Sequence, residues 1–219
     1  PALDLRLYGV LDPARTRGRD PVALATLAAA GGITLLQLRD KTSGTRELVD
    51  LAGSIRAVIR PYGVPLLVND RVDVALAARA DGVHVGLTDM APADARRLLG
   101  PDALLGITVH HAHEAANVAP GLADYAGLGP VYTTASKDPG DPPLGPEGLA
   151  RLIEAVHWHQ PALPVCGIAG IDHGNAAAVI AAGADGVAVI SDIFMADDVE
   201  AATRRLRAVV DDAFAERNA

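Results

Sequence analysis

Asp70 and Asp89 stand nineteen residues apart, each just past a short apolar run: Asp70 follows LLVN and Asp89 follows VHVGLT. Two carboxylates beside cations suit a magnesium ion shared with substrate phosphates. Magnesium is hard, prefers six oxygens and often takes only one or two carboxylates from protein. The alternative is that each acid caps the helix after it, since Asn69-Asp70 ahead of a helix is a good cap sequence. Arg39 and Lys41, in QLRDK, lie two apart and can project the same way from extended chain. They suit a phosphate, Arg as a bidentate fork and Lys as a point charge; the alternative is a pair of solvated rim charges. GIAGIDHGN (167–175) places small residues ahead of a helix. Backbone N–H groups at Gly170 and Ser191 suit a monophosphate, with a plain tight turn as the alternative. HHAH (110–113) lacks a clean i, i+4 pair and has no Cys or second His group nearby, which argues against a transition-metal site. His110 is expected to hydrogen-bond at a rim, His111 and His113 to lie on a helix-entry surface.

These residues can act together only if the fold brings them together. Short apolar runs predict strands at 5–11, 34–38, 65–69, 82–86, 104–108, 125–129, 164–168 and 186–190. None shows clean polar alternation, so each is covered on both faces, as in a parallel sheet. Segments of helical period fill the gaps at 20–30, 44–60, 71–79, 91–99, 112–119, 146–158, 173–182 and 196–215. Asp20-Pro21 reads as an N-cap with Pro at N1, and Ala91-Pro92 as a similar entry. Eight strands alternating with eight helices predict a single-domain α/β fold, a (β/α)8 TIM barrel. A doubly wound sheet is the rival, but LDPARTRGRD follows the first strand where a Gly-rich fingerprint would be expected.

A weak repeat supports closure. AAGGITLL (29–36), ARADGVHV (78–85), LADYAGLG (122–129) and AAGADGVAV (181–189) each run from a helix end through a small-residue turn into a strand. Asp81, Asp124 and Asp185 precede strands and belong to the N-terminal, structural face. The opposite rim collects Gln37, Arg39, Lys41, Asn69, Asp70, Asp89, Thr108, His110, Thr134, Ser136, Lys137, Ile190 and Ser191. The Pro- and Gly-rich stretch 133–148 is the expected mobile active-site loop. Two anionic pockets follow, one built of cations and a metal, one suited to a monophosphate.

Composition narrows the class. The chain has 219 residues and a net charge of −8, so an anionic ligand must be held by local cations, and no basic run marks a nucleic-acid surface. Half the residues are apolar but only 3% are aromatic, which assigns the core to Ala, Val, Leu and Ile. Cys166 is the single cysteine and is expected to be a buried structural thiol. No signal-peptide pattern is seen and no apolar run reaches the roughly 18–20 residues that span a bilayer. A cytoplasmic enzyme without membrane contact is expected; the oligomeric state stays open, and a homo-oligomer is compatible with the sequence.

QLRDK, VNDRVDVAL, ARADGVHVGLTD, ADYAGLGPVYTTASK and GIAGI…GADGVAVIS, in that order over 8–194, resemble the thiamine phosphate synthase family. The resemblance implies a transferase that joins 4-amino-2-methyl-5-(diphosphomethyl)pyrimidine to 4-methyl-5-(2-phosphoethyl)thiazole, giving thiamine monophosphate and pyrophosphate. It implies that Gln37, Arg39, Lys41, Asn69, Thr108 and Lys137 meet the pyrimidine diphosphate. Thr134, Ser136, Gly170, Ile190 and Ser191 would meet the thiazole phosphate, and Asp70 and Asp89 would ligate Mg2+. The implied catalytic groups are Arg39, Lys41, Thr108 and Lys137. The chain departs from the family pattern at Leu87 (usually Gln), Thr108 (usually Ser), Ser136 (usually Thr) and Ala169 (usually Gly), and none of these removes a charged group. A related thiazole tautomerase and a non-catalytic phosphate-ligand regulator are the competing readings. Retention of Asp89 and of the GPVY segment argues against the tautomerase, and the set Arg39, Lys41, Asp70, Asp89 and Lys137 argues against the regulator.

Overall fold

The computed structural model describes residues 3–116, 119–134 and 142–219. Eight parallel strands close into a barrel in sequence order: β1 (Leu7–Leu11), β2 (Leu35–Leu38), β3 (Leu66–Asn69), β4 (Gly82–Val85), β5 (Leu104–Val109), β6 (Tyr125–Leu128), β7 (Val165–Ile168) and β8 (Val187–Val189). Closure is made by β1 against β8, with Leu7, Tyr8 and Gly9 opposite Val187, Ala188 and Val189. The helices outside are α1 (Pro21–Gly31), α2 (Thr45–Ile59), α3 (Val72–Ala78), α4 (Pro92–Leu99), α5 (Ala112–Ala116), α6 (Gly145–His159), α7 (Ala176–Ala181), α8 (Ser191–Phe194) and α9 (Val199–Arg217). The barrel expected from the alternation is therefore the fold. Among the described residues no helix is long and apolar enough to cross a membrane.

Local chemistry sets the helix ends. Asp20 accepts from the Val22 N–H at 3.0 Å and Pro21 opens α1. Gly32, at φ 103°, closes it by donating to Ala28 and Ala29. The strict eight-and-eight pattern needs one correction. The segment expected as a single helix at 196–215 is α9, and the four-residue α8 precedes it, too short to show a period in sequence. Its Phe194 is fully buried and packs over Gly9.

The sequence repeat has a structural cause. Thr34, Asp81, Asp124 and Asp185 each stand just before an even-numbered strand. Their side-chain oxygens accept an N–H at the start of the preceding strand: Leu7 at 3.0 Å, Leu66 at 2.8 Å, Leu105 at 2.7 Å and Val165 at 3.0 Å. The backbone N–H of the same four residues donates back to Leu7, Leu66, Leu105 and Val165 at 2.7–2.8 Å. Four identical clasps hold the N-terminal face, where buried strand ends would otherwise leave orphan donors.

The expectation of an aliphatic core holds between barrel and helices, where Leu, Ile, Val and Ala dominate. Inside the barrel Leu5, Val10, Leu35, Leu67, Leu104 and Ala188 fit it too, but they share the space with two tyrosines. Tyr8 and Tyr125, both fully buried, meet there edge to face with ring centroids 5.7 Å apart. Gly106 makes this packing feasible, because a Cβ there would lie 2.2 Å from the Tyr125 ring. Few aromatic residues are needed when two of them fill the narrow centre. Cys166 is buried beside them, and burial pushes its thiol up to about 12.

Candidate active site

A cavity of about 530 Å³ opens at the C-terminal mouth of the barrel, of a size usual for small-ligand sites. Gln37, Arg39, Lys41, Asn69, Asp70, Asp89, Thr108, Thr134, Gly170, Ile190 and Ser191 all line it, with His110 at its edge. Ser136 and Lys137, and with them residues 135–141 of the expected loop, lie outside the described residues.

The acidic side is built where β3 ends. Asp70 sits at φ 62°, a left-handed conformation that Asp tolerates better than most side chains, and its N–H donates to the His84 carbonyl at 2.8 Å. This turn aims the carboxylate at Lys41, with which it forms an ion pair. Asp89 accepts from the Gly86 N–H at 2.8 Å. Neither acid caps a helix: the cap positions of α3 and α4 are Arg71 and Ala91, without side-chain bonds. Burial raises the Asp70 pKa, and a hydrogen bond with Asp89 raises it further, while Lys41 pulls it down. Burial also opposes ionisation of Asp89, but the bonds from Asp70 and Gly86 and the Lys41 charge leave it below the usual range. The two carboxylates are thus close enough that ionisation of one opposes ionisation of the other, a repulsion that a divalent cation between them would relieve. Among the described residues no group of three or more His, Cys, Asp or Glu side chains is placed to hold a metal. A two-carboxylate oxygen set fits magnesium with substrate oxygens completing the shell, and does not fit zinc.

Arg39 is fixed by Asp12, whose carboxylate lies 2.5 Å from the guanidinium and also accepts from the Ala14 N–H at 2.9 Å. Arg39 and Lys41 both line the cavity and each is paired with a carboxylate, Arg39 with Asp12 and the more exposed Lys41 with Asp70. On the facing wall, Gly170 has φ 67°, and a Cβ there would lie 2.6 Å from the Thr133 carbonyl. Glycine is needed for that approach. The N–H groups of Gly170 and Ser191 are not donated to any other described residue, so this wall presents neutral donors. Ala169 is held at φ 75° where the family pattern has glycine.

The structure adds residues that the sequence reading did not select: Tyr8 and His84 in the cavity floor, with Tyr125 beneath, and Asp12 behind Arg39. A signal for the first three existed. Each is a polar group inside an otherwise apolar strand run, where a buried partner is required. Asp12 gave none beyond a cap pattern in LDPAR. His110 donates through Nδ1 to the Gly129 carbonyl at 2.5 Å, and His111 stacks on His113 at 5.6 Å near the surface.

Comparison with known proteins gives the family. A family model described as thiamine monophosphate synthase matches residues 7–193. The chain is 47% identical over 208 residues to a thiamine-phosphate synthase of Chloroflexus aurantiacus, covering 95% of this chain and 94% of that protein. It is also 47% identical over 215 residues to one from Agrobacterium fabrum, covering 98% of each. A solved thiamine phosphate pyrophosphorylase from Pyrococcus furiosus superposes with a TM-score of 0.84 at 36% identity, covering 95% of this chain and 96% of that one.

Proposed function

The chain belongs to the thiamine monophosphate synthase family, and from that premise we propose that its cavity joins 4-amino-2-methyl-5-(diphosphomethyl)pyrimidine to 4-methyl-5-(2-phosphoethyl)thiazole. The products are thiamine monophosphate and pyrophosphate. The observation that carries this reading is the division of one cavity into two walls. Arg39, Lys41, Asp70 and Asp89 form one, and the free N–H groups of Gly170 and Ser191 form the other.

The reaction breaks the carbon–oxygen bond to the diphosphate, leaving a pyrimidinylmethyl cation stabilised by the amino-substituted ring. The thiazole nitrogen then captures that carbon. No protein nucleophile is needed, and none faces the cavity from Cys166, which is buried in the barrel. Arg39 and Lys41 stabilise the negative charge that grows on the departing diphosphate, because they are held in place before it forms. Lys137 is assigned the same task, and Thr108 offers its hydroxyl. A magnesium ion held by Asp70 and Asp89 would add Lewis-acid neutralisation of the diphosphate oxygens. Gly170, Ser191, Thr134, Ser136 and Ile190 seat the thiazole phosphate, so both reactants wait in line and the entropic part of the barrier is removed. Gln37 and Asn69 orient the pyrimidine. Apolar Ile168, Ile171 and Leu87 on the cavity wall keep water from the cation.

Incubating the protein with both substrates and magnesium should give thiamine monophosphate, and chelation should stop it. Isomerisation of a thiazole phosphate without any coupled product would overturn the reading in favour of the tautomerase.

A further inference from the structure

Beneath the cavity runs one hydrogen-bonded line of side chains: Gln37, Tyr8, Tyr125, His84, Thr108. Gln37 Nε2 donates to the Tyr8 hydroxyl. The Tyr8 and Tyr125 hydroxyls are 2.7 Å apart, Tyr125 is 2.8 Å from His84 Nδ1, and His84 Nε2 is 2.9 Å from Thr108 Oγ1. Tyr8, Tyr125, Gln37 and His84 are all buried.

With the Gln37 amide nitrogen on Tyr8 and a neutral His84 ring, proton counting sets the direction of every bond. An amide nitrogen cannot accept, so the Tyr8 proton can go only to Tyr125. The Tyr125 proton then goes to His84 Nδ1. Nδ1 is an acceptor, so the ring proton is on Nε2 and is donated to Thr108. The hydroxyl proton of Thr108 is left for the cavity. At the other end, Gln37 Oε1 accepts from no described residue, and among the described residues no buried side-chain oxygen is left unsatisfied, so it opens into the cavity, which Gln37 lines. The line therefore presents an acceptor at Gln37 and a donor at Thr108. Turning the Gln37 amide over would require every proton in the line to reverse. Thr108 would then donate inward to His84 and could not donate to an anion.

We propose that Tyr8, Tyr125 and His84 are positioning residues that set the hydrogen-bonding polarity of the cavity, so that an anion met by Thr108 locks Gln37 as an acceptor for an amino group on the ring. The proposal rests on the function given above. A 4-oxo ring would place an acceptor against Gln37 Oε1, lone pair to lone pair, and is rejected. Discrimination at one end of the substrate is thereby tied to the diphosphate at the other.

The test compares inhibition constants of the 4-amino and 4-oxo pyrimidine diphosphates, with magnesium, for the wild type and Tyr125→Phe. The 15N NMR signals of His84 are read in the wild type. The wild type should favour the amino compound by about a hundredfold or more, as sites built to pair a substrate donor do. Tyr125→Phe should cut that preference by at least about tenfold, and His84 should carry its proton on Nε2. An unchanged preference in folded Tyr125→Phe, or a His84 proton on Nδ1, would overturn the proposal. If Tyr125→Phe does not fold, the His84 tautomer decides alone. A wild type that couples nothing, with Nε2 protonated, would strike the function and leave the polarity of the line standing.

Discussion

Asp70 is the residue on which most of the site turns. Its left-handed backbone costs about 1–2 kcal/mol for an ordinary L-residue, and that cost is retained at a point where the carboxylate meets Lys41 and Asp89. Asp70→Ala and Asp89→Ala should each lower turnover by at least about a hundredfold, since each removes charge stabilisation at the leaving group. Circular dichroism should show the fold intact, because neither acid caps a helix; near-normal rates in both variants would mean that the pair has no part in the chemistry. Asp12 acts one step back, by holding Arg39. Cys166 gives a check on the barrel interior. Buried, with its thiol pushed up to about 12, it should resist disulfide reagents in the native protein and react once urea unfolds the chain. Fast labelling of native protein would show the interior to be open.

At the scale of elements, the two ends of the barrel have separate tasks. Asp124 clasps the start of β5 through the Leu105 N–H and holds Arg96 at 2.7 Å. Asp124→Ala leaves that buried N–H without a partner and should cost about 1–3 kcal/mol in urea unfolding. It lies at the face opposite the cavity, so kcat should be unchanged; a loss of activity in folded protein would contradict this division. The strands were legible in the sequence because burial on two faces demands short aliphatic runs, and the structural face because Asp81, Asp124 and Asp185 recur at similar turns; Thr34 and the clasps themselves were not. The rim residues were legible because a charge at the end of an apolar strand, as at Arg39 or Asp70, has few structural reasons to be there. Asp12, α8 and the pairing of Tyr8, Tyr125 and His84 with one another were not. Their partners are 27 to 117 residues away in sequence, and α8 is shorter than two helical turns. Pairings of that range depend on barrel closure, which no local pattern encodes.

The whole molecule carries a net charge of −8 and yet is proposed to bind two phosphorylated substrates. Local placement resolves this: Arg39 and Lys41 are concentrated at one mouth, where a diphosphate in the cavity would lie within a screening length of both. The barrel brings them from β2 to face acids from the ends of β3 and β4 and the N–H groups beyond β7 and β8. The most direct measurement is a rapid-quench single turnover with enzyme in excess over the pyrimidine diphosphate, with magnesium and saturating thiazole phosphate. One thiamine monophosphate should form for each pyrophosphate released. Pyrophosphate released with the pyrimidine alcohol in place of thiamine monophosphate, or no release at all, would contradict a site that holds both partners at once.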